Sequence, residues 1–262
     1  MLDIMIEAAL EGGKVLKTYF RKNLHIRSKT SHQNIVTEAD DASQKVIKEY
    51  ITSQLLAKGY KPDDIGFIGE EGLMQPGTYT FIIDPLDGTS NFASGSEEVE
   101  VLIALVKDGE VIAGVAYCPM LEILYYAEKG KGAYRKRNGE VIKLAVLPKK
   151  LEEGMMVTYM NNAYYTEFGA NLFKPLPYVR GVLVGTCSYA GLVDNVATVE
   201  LYGSTSIWDI AAWQSIVREA GGVMCDWKGN EIVYQFSNPE QKYNTLVCHP
   251  DNKTLLLEIL NS

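Results

Sequence analysis

Two carboxylates three residues apart, Asp84 and Asp87, stand in the segment FIIDPLDGTSNF, residues 81–92. Phe81, Ile82 and Ile83 read as a short buried strand of β-type residues. Pro85 biases Asp84 toward an extended backbone, so the strand is expected to end there. Gly88, Thr89 and Ser90 suit a tight turn that opens a helix. The two carboxylates and the Leu86 carbonyl between them offer three hard oxygens, the donor type that Mg²⁺ takes. The amides of Gly88, Thr89 and Ser90 would form the positive end of that helix, where phosphate binds readily. Metal ligands beside a phosphate cradle outline a metal-dependent phosphoryl-transfer site.

Other acids stand out at element boundaries: Glu70 and Glu71 in FIGEEG, Asp40 in IVTEADD, Asp209 in TSIWDIAA. Singly, each has a plain structural explanation. Thr37 to Asp40 matches a capping box, Asp209 could cap a helix, and Glu70-Glu71 could be a solvated turn. As a set they fit something else. A two-metal phosphatase needs several carboxylates around ions about 3.5–4 Å apart. Burying four acids without cations would cost several kcal/mol each.

Other phosphoryl chemistries are missing their residues. No Cys is followed six positions later by Arg, and no D-x-D pair offers an aspartyl nucleophile. Neither G-x-x-x-x-G-K-[ST] nor G-x-S-x-G occurs. With only His25, His32 and His249, a His-rich binuclear centre is not expected. Metal-activated water attacking a phosphate ester remains.

The rest of the chain must position these groups. At 262 residues it is expected to form one compact domain with two subregions, 1–147 and 148–262, dividing near Leu147–Gly154. Ile6, Leu10, Gly13, Leu16 and Phe20 predict an amphipathic helix over 3–20, a loop or irregular strand follows over 21–33, and Thr37 predicts a cap for a helix reaching about Leu56. Strands are expected at Gly66–Gly69 and Thr80–Asp84, then a hairpin around Asp108-Gly109, with further strands at Glu122–Ala127 and Gly130–Tyr134. The second half predicts helices near Ala163–Phe173, Ser188–Thr198, from Asp209 to the Gly221-Gly222 stop, and Asn252–Leu260, with strands near Tyr178–Gly185 and Val223–Trp227. Such mixing implies layered α+β or α/β packing. A net charge of −8 with no basic run argues against a nucleic-acid partner. No apolar run approaches the roughly 20 residues of a membrane span, and the N-terminus lacks the basic start of a signal peptide. Four scattered cysteines (118, 187, 225, 248) fit reduced thiols and a cytoplasmic location.

GEE, DPLDGTSNF and WDIAA, in this order and at these separations, resemble the inositol monophosphatase family of Mg²⁺-dependent, lithium-sensitive phosphatases. IVTEAD, Gly114 to Pro119, GKGAY (130–134), Gly185-Thr186 and REAGG (218–222) extend the resemblance over nearly the whole chain. It implies a five-layer αβαβα sandwich, of the type shared with fructose-1,6-bisphosphatase, usually a homodimer. It also implies two to three Mg²⁺ ions. Glu70, Asp84 and the Leu86 carbonyl would hold the first, whose bound water is the nucleophile; Asp84, Asp87 and Asp209 would hold the second, which stabilises the leaving alkoxide. Thr89, with Asp40 behind it, would orient and help deprotonate the water, and Lys29 matches a basic residue near the metals. The Gly88 and Thr89 amides, with Ser90 beside them, would meet the phosphate.

Substrate cues conflict. Inositol-specific members place a Glu about seven residues before the WD aspartate, where this chain has Tyr202. TSIWD followed by IAA looks closer to the 3′-phosphoadenosine 5′-phosphate phosphatases, while GEE and GTSNF are typical of the inositol and fructose-bisphosphate branches. A small sugar or polyol phosphate is expected, inositol 1-phosphate first. Gly185, Thr186, Cys187, Tyr202 and the 163–173 segment with Tyr164 and Tyr165 would line the alcohol pocket. A different class, a regulatory protein-interaction module on the same fold, would retain the acids without turnover.

Overall fold

In the computed structural model the described residues are 1–22, 26–31, 34–70, 72–158, 173–184 and 189–262, with backbone alone at 26, 28–31, 34, 35 and 184. Apolar spacing at the N-terminus forms α1 (Leu2–Tyr19), which buries Met5, Ala8, Ala9 and Leu16. A two-stranded ribbon, β1 (Ile26–Ser31) with β2 (Asn34–Thr37), occupies part of the expected 21–33 loop. Thr37 then caps α2 (Glu38–Ala57), whose buried stripe is Ala39, Ser43, Ile47, Ile51 and Leu55.

Both helices cover one face of an eight-stranded sheet. Its strands are β3 (Ile65–Gly69), β4 (Leu73–Gln75), β5 (Tyr79–Asp87), β6 (Glu100–Lys107), β7 (Glu110–Cys118), β8 (Ile123–Glu128), β9 (Gly132–Arg137) and β10 (Glu140–Lys143), ordered β10-β9-β8-β7-β6-β5-β3-β4. The pleat sorts side chains by period two. Phe67, Phe81, Ile83, Val101 and Ile103 meet α1 and α2, while Ile68, Ile82, Leu102 and Ala104 point to the other side. There they pack on α5 (Ile207–Glu219), which follows two short helices, α3 (Thr89–Ala93) and α4 (Ala190–Val193).

A second sheet lies beyond α5. It runs β12 (Val182–Val184), β11 (Met155–Thr158), β13 (Ala197–Thr205), β15 (Tyr243–Cys248), β14 (Val223–Cys225). Tyr202 and Val247 join the core around α5, and Met156, Val199, Leu201 and Leu246 face Leu256 and Ile259 of α6 (Lys253–Asn261). Helix, sheet, helix, sheet, helix: the layers form the αβαβα sandwich.

The middle helix sits unusually close to the large sheet at Gly114 of β7. A Cβ there would fall 2.2 Å from the backbone oxygen of Ala212, so only hydrogen fits. Trp213, the largest fully buried side chain, fills the space beside this contact.

Several expectations change. The helix expected at Ser188–Thr198 is only the four-residue α4, and Ala197 and Thr198 belong to β13, a nine-residue central strand. Alternating apolar side chains serving two cores (Val199 and Leu201 on one face, Tyr202 on the other) override the helical pattern. Strand β15 was not expected. Around Tyr178 a 3₁₀ turn (Leu176–Tyr178) replaces the start of the expected strand. The helix expected at 163–173 lies almost wholly outside the described residues.

Candidate active site

Strand β3 ends beside its parallel neighbour β5, with Gly69 opposite Ile83, and this brings Glu70 next to Asp84. Strand β5 does not stop at Asp84 as expected; it continues through Pro85 to Asp87. Against β6, Asp84 pairs with Leu102 and Asp87 with Glu100, so β5 carries one extra residue in between. A β-bulge of this kind re-aims side chains. Residues three apart on a regular strand would face opposite sides; here Asp84 and Asp87 converge. Pro85 is suited to the bulge because it has no N–H to leave unpaired. Its carbonyl accepts from Ser43 Oγ of α2 at 2.9 Å.

Asp209 arrives from the opposite layer. It is the third residue of α5, and its Oδ2 accepts from the Ser206 amide at 2.6 Å in a capping box. Asp84, Asp87 and Asp209 each offer a carboxylate oxygen, all within 4.8 Å of one another. Asp84 is 1% exposed. Its carboxyl is held well above the ordinary range, first by burial and then by the negative charges of Glu70, Asp87 and Asp209. Buried acids this close repel one another unless a cation lies among them. Hard oxygens at the mouth of two layers suit Mg²⁺.

Beside the triad, Thr89 Oγ1 stands 3.0 Å from Asp40 Oδ1 and 3.1 Å from the Leu86 carbonyl. Asp40 is fully buried. Its Oδ2 accepts from the Thr37 amide at 2.8 Å and from Thr37 Oγ1 at 2.7 Å. Asp40 therefore closes the cap of α2 with one oxygen and meets Thr89 with the other. Burial raises its pKa, the hydrogen bonds from Thr37 and Thr89 lower it, and Glu70 raises it further; the net direction is up. Leu86 donates its amide to Asp84 Oδ1 at 3.0 Å, which fixes the turn that carries the Leu86 carbonyl.

Gly88 precedes α3 with φ of 89°, a left-handed conformation that glycine adopts freely. The helix is only five residues long. Local backbone N–H groups, rather than a macrodipole, are what Gly88, Thr89 and Ser90 can offer an anion.

Of the other expected residues, Lys29 lies on β1 with its side chain outside the described residues, and Glu71, Gly185, Thr186, Cys187, Tyr164 and Tyr165 lie outside them altogether. Tyr202 is 2% exposed, and its ring centroid lies 4.4 Å from that of Tyr189, a packing position in the core. On the neighbouring strand its register partner is Thr245 of β15. Sequence reasoning missed Glu100, buried opposite Asp87 at the bulge, and Ser206 with Lys242, whose Nζ donates to Ser206 Oγ at 2.6 Å.

The sequence pattern of the inositol monophosphatase family matches residues 1–262. The chain belongs to the inositol monophosphatase family. A "Fructose-1,6-bisphosphatase/inositol-1-monophosphatase" of Thermotoga maritima is 32% identical over 232 residues, covering 88% of this chain and 86% of that one. The "3'(2'),5'-bisphosphate nucleotidase CysQ" of Aggregatibacter actinomycetemcomitans is 29% identical, covering 91% of this chain and 90% of its own. Among solved structures, the extragenic suppressor protein suhB of Bartonella henselae superposes with a TM-score of 0.84 at 26% identity, covering 99% of this chain and 98% of that one. Inositol monophosphatase family members of this kind are phosphoric monoester hydrolases. Among the described residues, no helix is long and apolar enough to cross a membrane.

Proposed function

We propose that this inositol monophosphatase family member hydrolyses a small polyol or sugar phosphate, inositol 1-phosphate first, with Mg²⁺ as its cofactor. The observation that carries it is the triad of Asp84, Asp87 and Asp209 oxygens within 4.8 Å, beside the Thr89–Asp40 hydrogen bond. Two to three Mg²⁺ ions, held by Glu70, Asp84, the Leu86 carbonyl, Asp87 and Asp209, would neutralise phosphate charge and lower the pKa of water at the site. The chain's own residues do the rest. Thr89 orients the attacking water: its hydroxyl passes a proton to Asp40, whose raised pKa makes it a better acceptor, and takes one from the water in its place, while the leaving alkoxide is protonated from solvent. The Gly88 and Thr89 amides and the Ser90 hydroxyl hold the phosphate oxygens, with Lys29 adding positive charge. Gly185, Thr186 and Cys187 border the alcohol. We take the enzyme to be a cytoplasmic, lithium-sensitive homodimer, as the family resemblance implies, with residues 1–262 forming one domain.

A second reading, 3′-phosphoadenosine 5′-phosphate as substrate, draws support from SIWDIAA and from Tyr202, which stands where inositol-specific members place a Glu. A phosphate-release panel with Mg²⁺, with and without Li⁺, tests both. It compares inositol 1-phosphate, fructose 1,6-bisphosphate and 3′-phosphoadenosine 5′-phosphate, with Glu70→Gln as control. Turnover fastest on inositol 1-phosphate and absent in Glu70→Gln is the expected result. A preference for the adenine nucleotide would replace the substrate and keep the chemistry. Full activity in excess EDTA would overturn the metal.

A further inference from the structure

Glu100 is a further buried acid near the triad, and the proposed chemistry gives it no task. It opens β6 at 3% exposure, and its Cα is the register partner of Asp87 across the bulge. One carboxylate oxygen, Oε2, accepts from the indole Nε1 of Trp213 at 2.9 Å; Oε1 accepts from the Cys118 thiol at 3.3 Å. Trp213 is fully buried on α5, one helical turn beyond Asp209 and on the same side of that helix. Tilted rings of Tyr125 and Tyr189 fix the indole, at centroid distances of 5.2 and 6.4 Å. A single hydrogen bond thus ties the strand beside Asp87 to the helix that bears Asp209. These two acids come from different layers, and no chain segment shorter than about 120 residues connects them.

A buried carboxylate is a costly way to fill a core. An apolar replacement of similar volume is often as stable or more so. Groups one step behind metal ligands set the ligands' orientation, and their loss weakens metal affinity without removing a ligand.

We propose that Glu100 is a positioning residue: through the Trp213 indole it sets the spacing of Asp87 and Asp209, and hence the affinity of the acidic cluster for a divalent cation. This rests on the reading of the cluster as a Mg²⁺ site. Cys118 is a second, weaker anchor on the same carboxylate.

Isothermal titration with MgCl₂ alone, on the purified full chain, is the test. Glu100→Ala and Trp213→Phe are each expected to bind Mg²⁺ about tenfold more weakly than the parent chain. Glu100→Gln keeps an acceptor for the indole and should stay within about threefold. The double variant Glu100→Ala/Trp213→Phe should be no weaker than either single one, because one bond is removed in all three. The Mg²⁺ concentration for half-maximal activity should rise in parallel, with kcat at saturating Mg²⁺ little changed. A purely structural role would lower the melting temperature and leave the titrations alone. Glu100→Ala and Trp213→Phe both binding within twofold of the parent, or Glu100→Gln as weak as Glu100→Ala, would overturn the inference. Should Glu100→Ala fail to fold, Trp213→Phe and Glu100→Gln carry the same comparison. Failure of the parent chain to bind Mg²⁺ would instead sink the metal centre itself.

Discussion

The Thr89 hydroxyl lies 3.0 Å from Asp40 Oδ1, while Oδ2 of the same carboxylate holds the first turn of α2. The helix cap and the hydrogen-bond acceptor of Thr89 are one side chain. Thr89→Ala removes the hydroxyl but leaves the cap intact. Phosphate release should fall about 10²–10⁴-fold, the range typical of a lost proton-transfer group. Thr89→Ser should retain most of the rate, and thermal unfolding of both should stay within about 1 kcal/mol of the parent.

Asp84 is the acid whose burial a bound Mg²⁺ would relieve most. Its raised pKa records burial and three like-charged neighbours. Asp84→Asn should therefore raise the melting temperature in EDTA, while abolishing phosphate release. In the parent chain, added Mg²⁺ should stabilise by about 2.7 kcal/mol at a hundredfold excess over its dissociation constant. That gain should shrink as pH falls, because the carboxyl must give up a proton for a cation to bind and its raised pKa makes it hold that proton into milder acid. Thermal shifts with and without Mg²⁺ across pH 5–8 measure all three; equal shifts throughout would contradict them.

Glu200 carries a different pH signature. It is fully buried on β13, where Oε1 accepts from the Leu192 amide at 2.6 Å, and burial raises its pKa to about 8 from 4.5. An acid whose folded pKa is raised holds its proton when the unfolded chain has lost it. Its stability cost is absent below about pH 4.5, grows as pH rises, and is complete near pH 8. Glu200→Gln keeps the bond from Leu192 and should be more stable than the parent by up to about 3–5 kcal/mol at pH 8, converging at pH 4. Urea midpoints at the two pH values decide it.

Gly114→Ala tests the packing that places α5. Its Cβ would need to displace the Ala212 carbonyl, 2.2 Å away, and backbone cannot yield as a side-chain tip can. Destabilisation of about 2–4 kcal/mol is expected. A melting temperature unchanged from the parent would mean that α5 shifts without cost.

Much of the site was legible in the sequence because its signals are local. FIIDPLDGTSNF couples a strand end, two acids and a turn within twelve residues, and the Thr37–Asp40 spacing and Asp209 ahead of an apolar run mark helix starts. The bulge was not legible. Its extra residue is defined by what β6 places opposite, and nothing in DPLD alone shows that Leu102 and Glu100 are the partners. Strand β13 was hidden for a related reason: both faces are buried, so ATVELYGST lacks the clean polar alternation of a half-exposed strand. Glu100 itself read as one more acid in SEEVEV. Only the approach of Trp213, 113 positions away, gives it meaning.

Two of the acids gathered here, Asp40 and Asp209, are each the third residue of a helix and close its first turn. Helix ends are where a folded chain opens most easily. Of the two, only Asp209 belongs to the proposed cation set, so occupancy of the site and order at the start of α5 would become one variable. Emptying the site would loosen the first turn of the middle helix while Asp40 goes on closing α2. Slowed amide exchange at Asp209, with Ala39 unchanged, would then report ion binding from inside the scaffold, before any substrate is present.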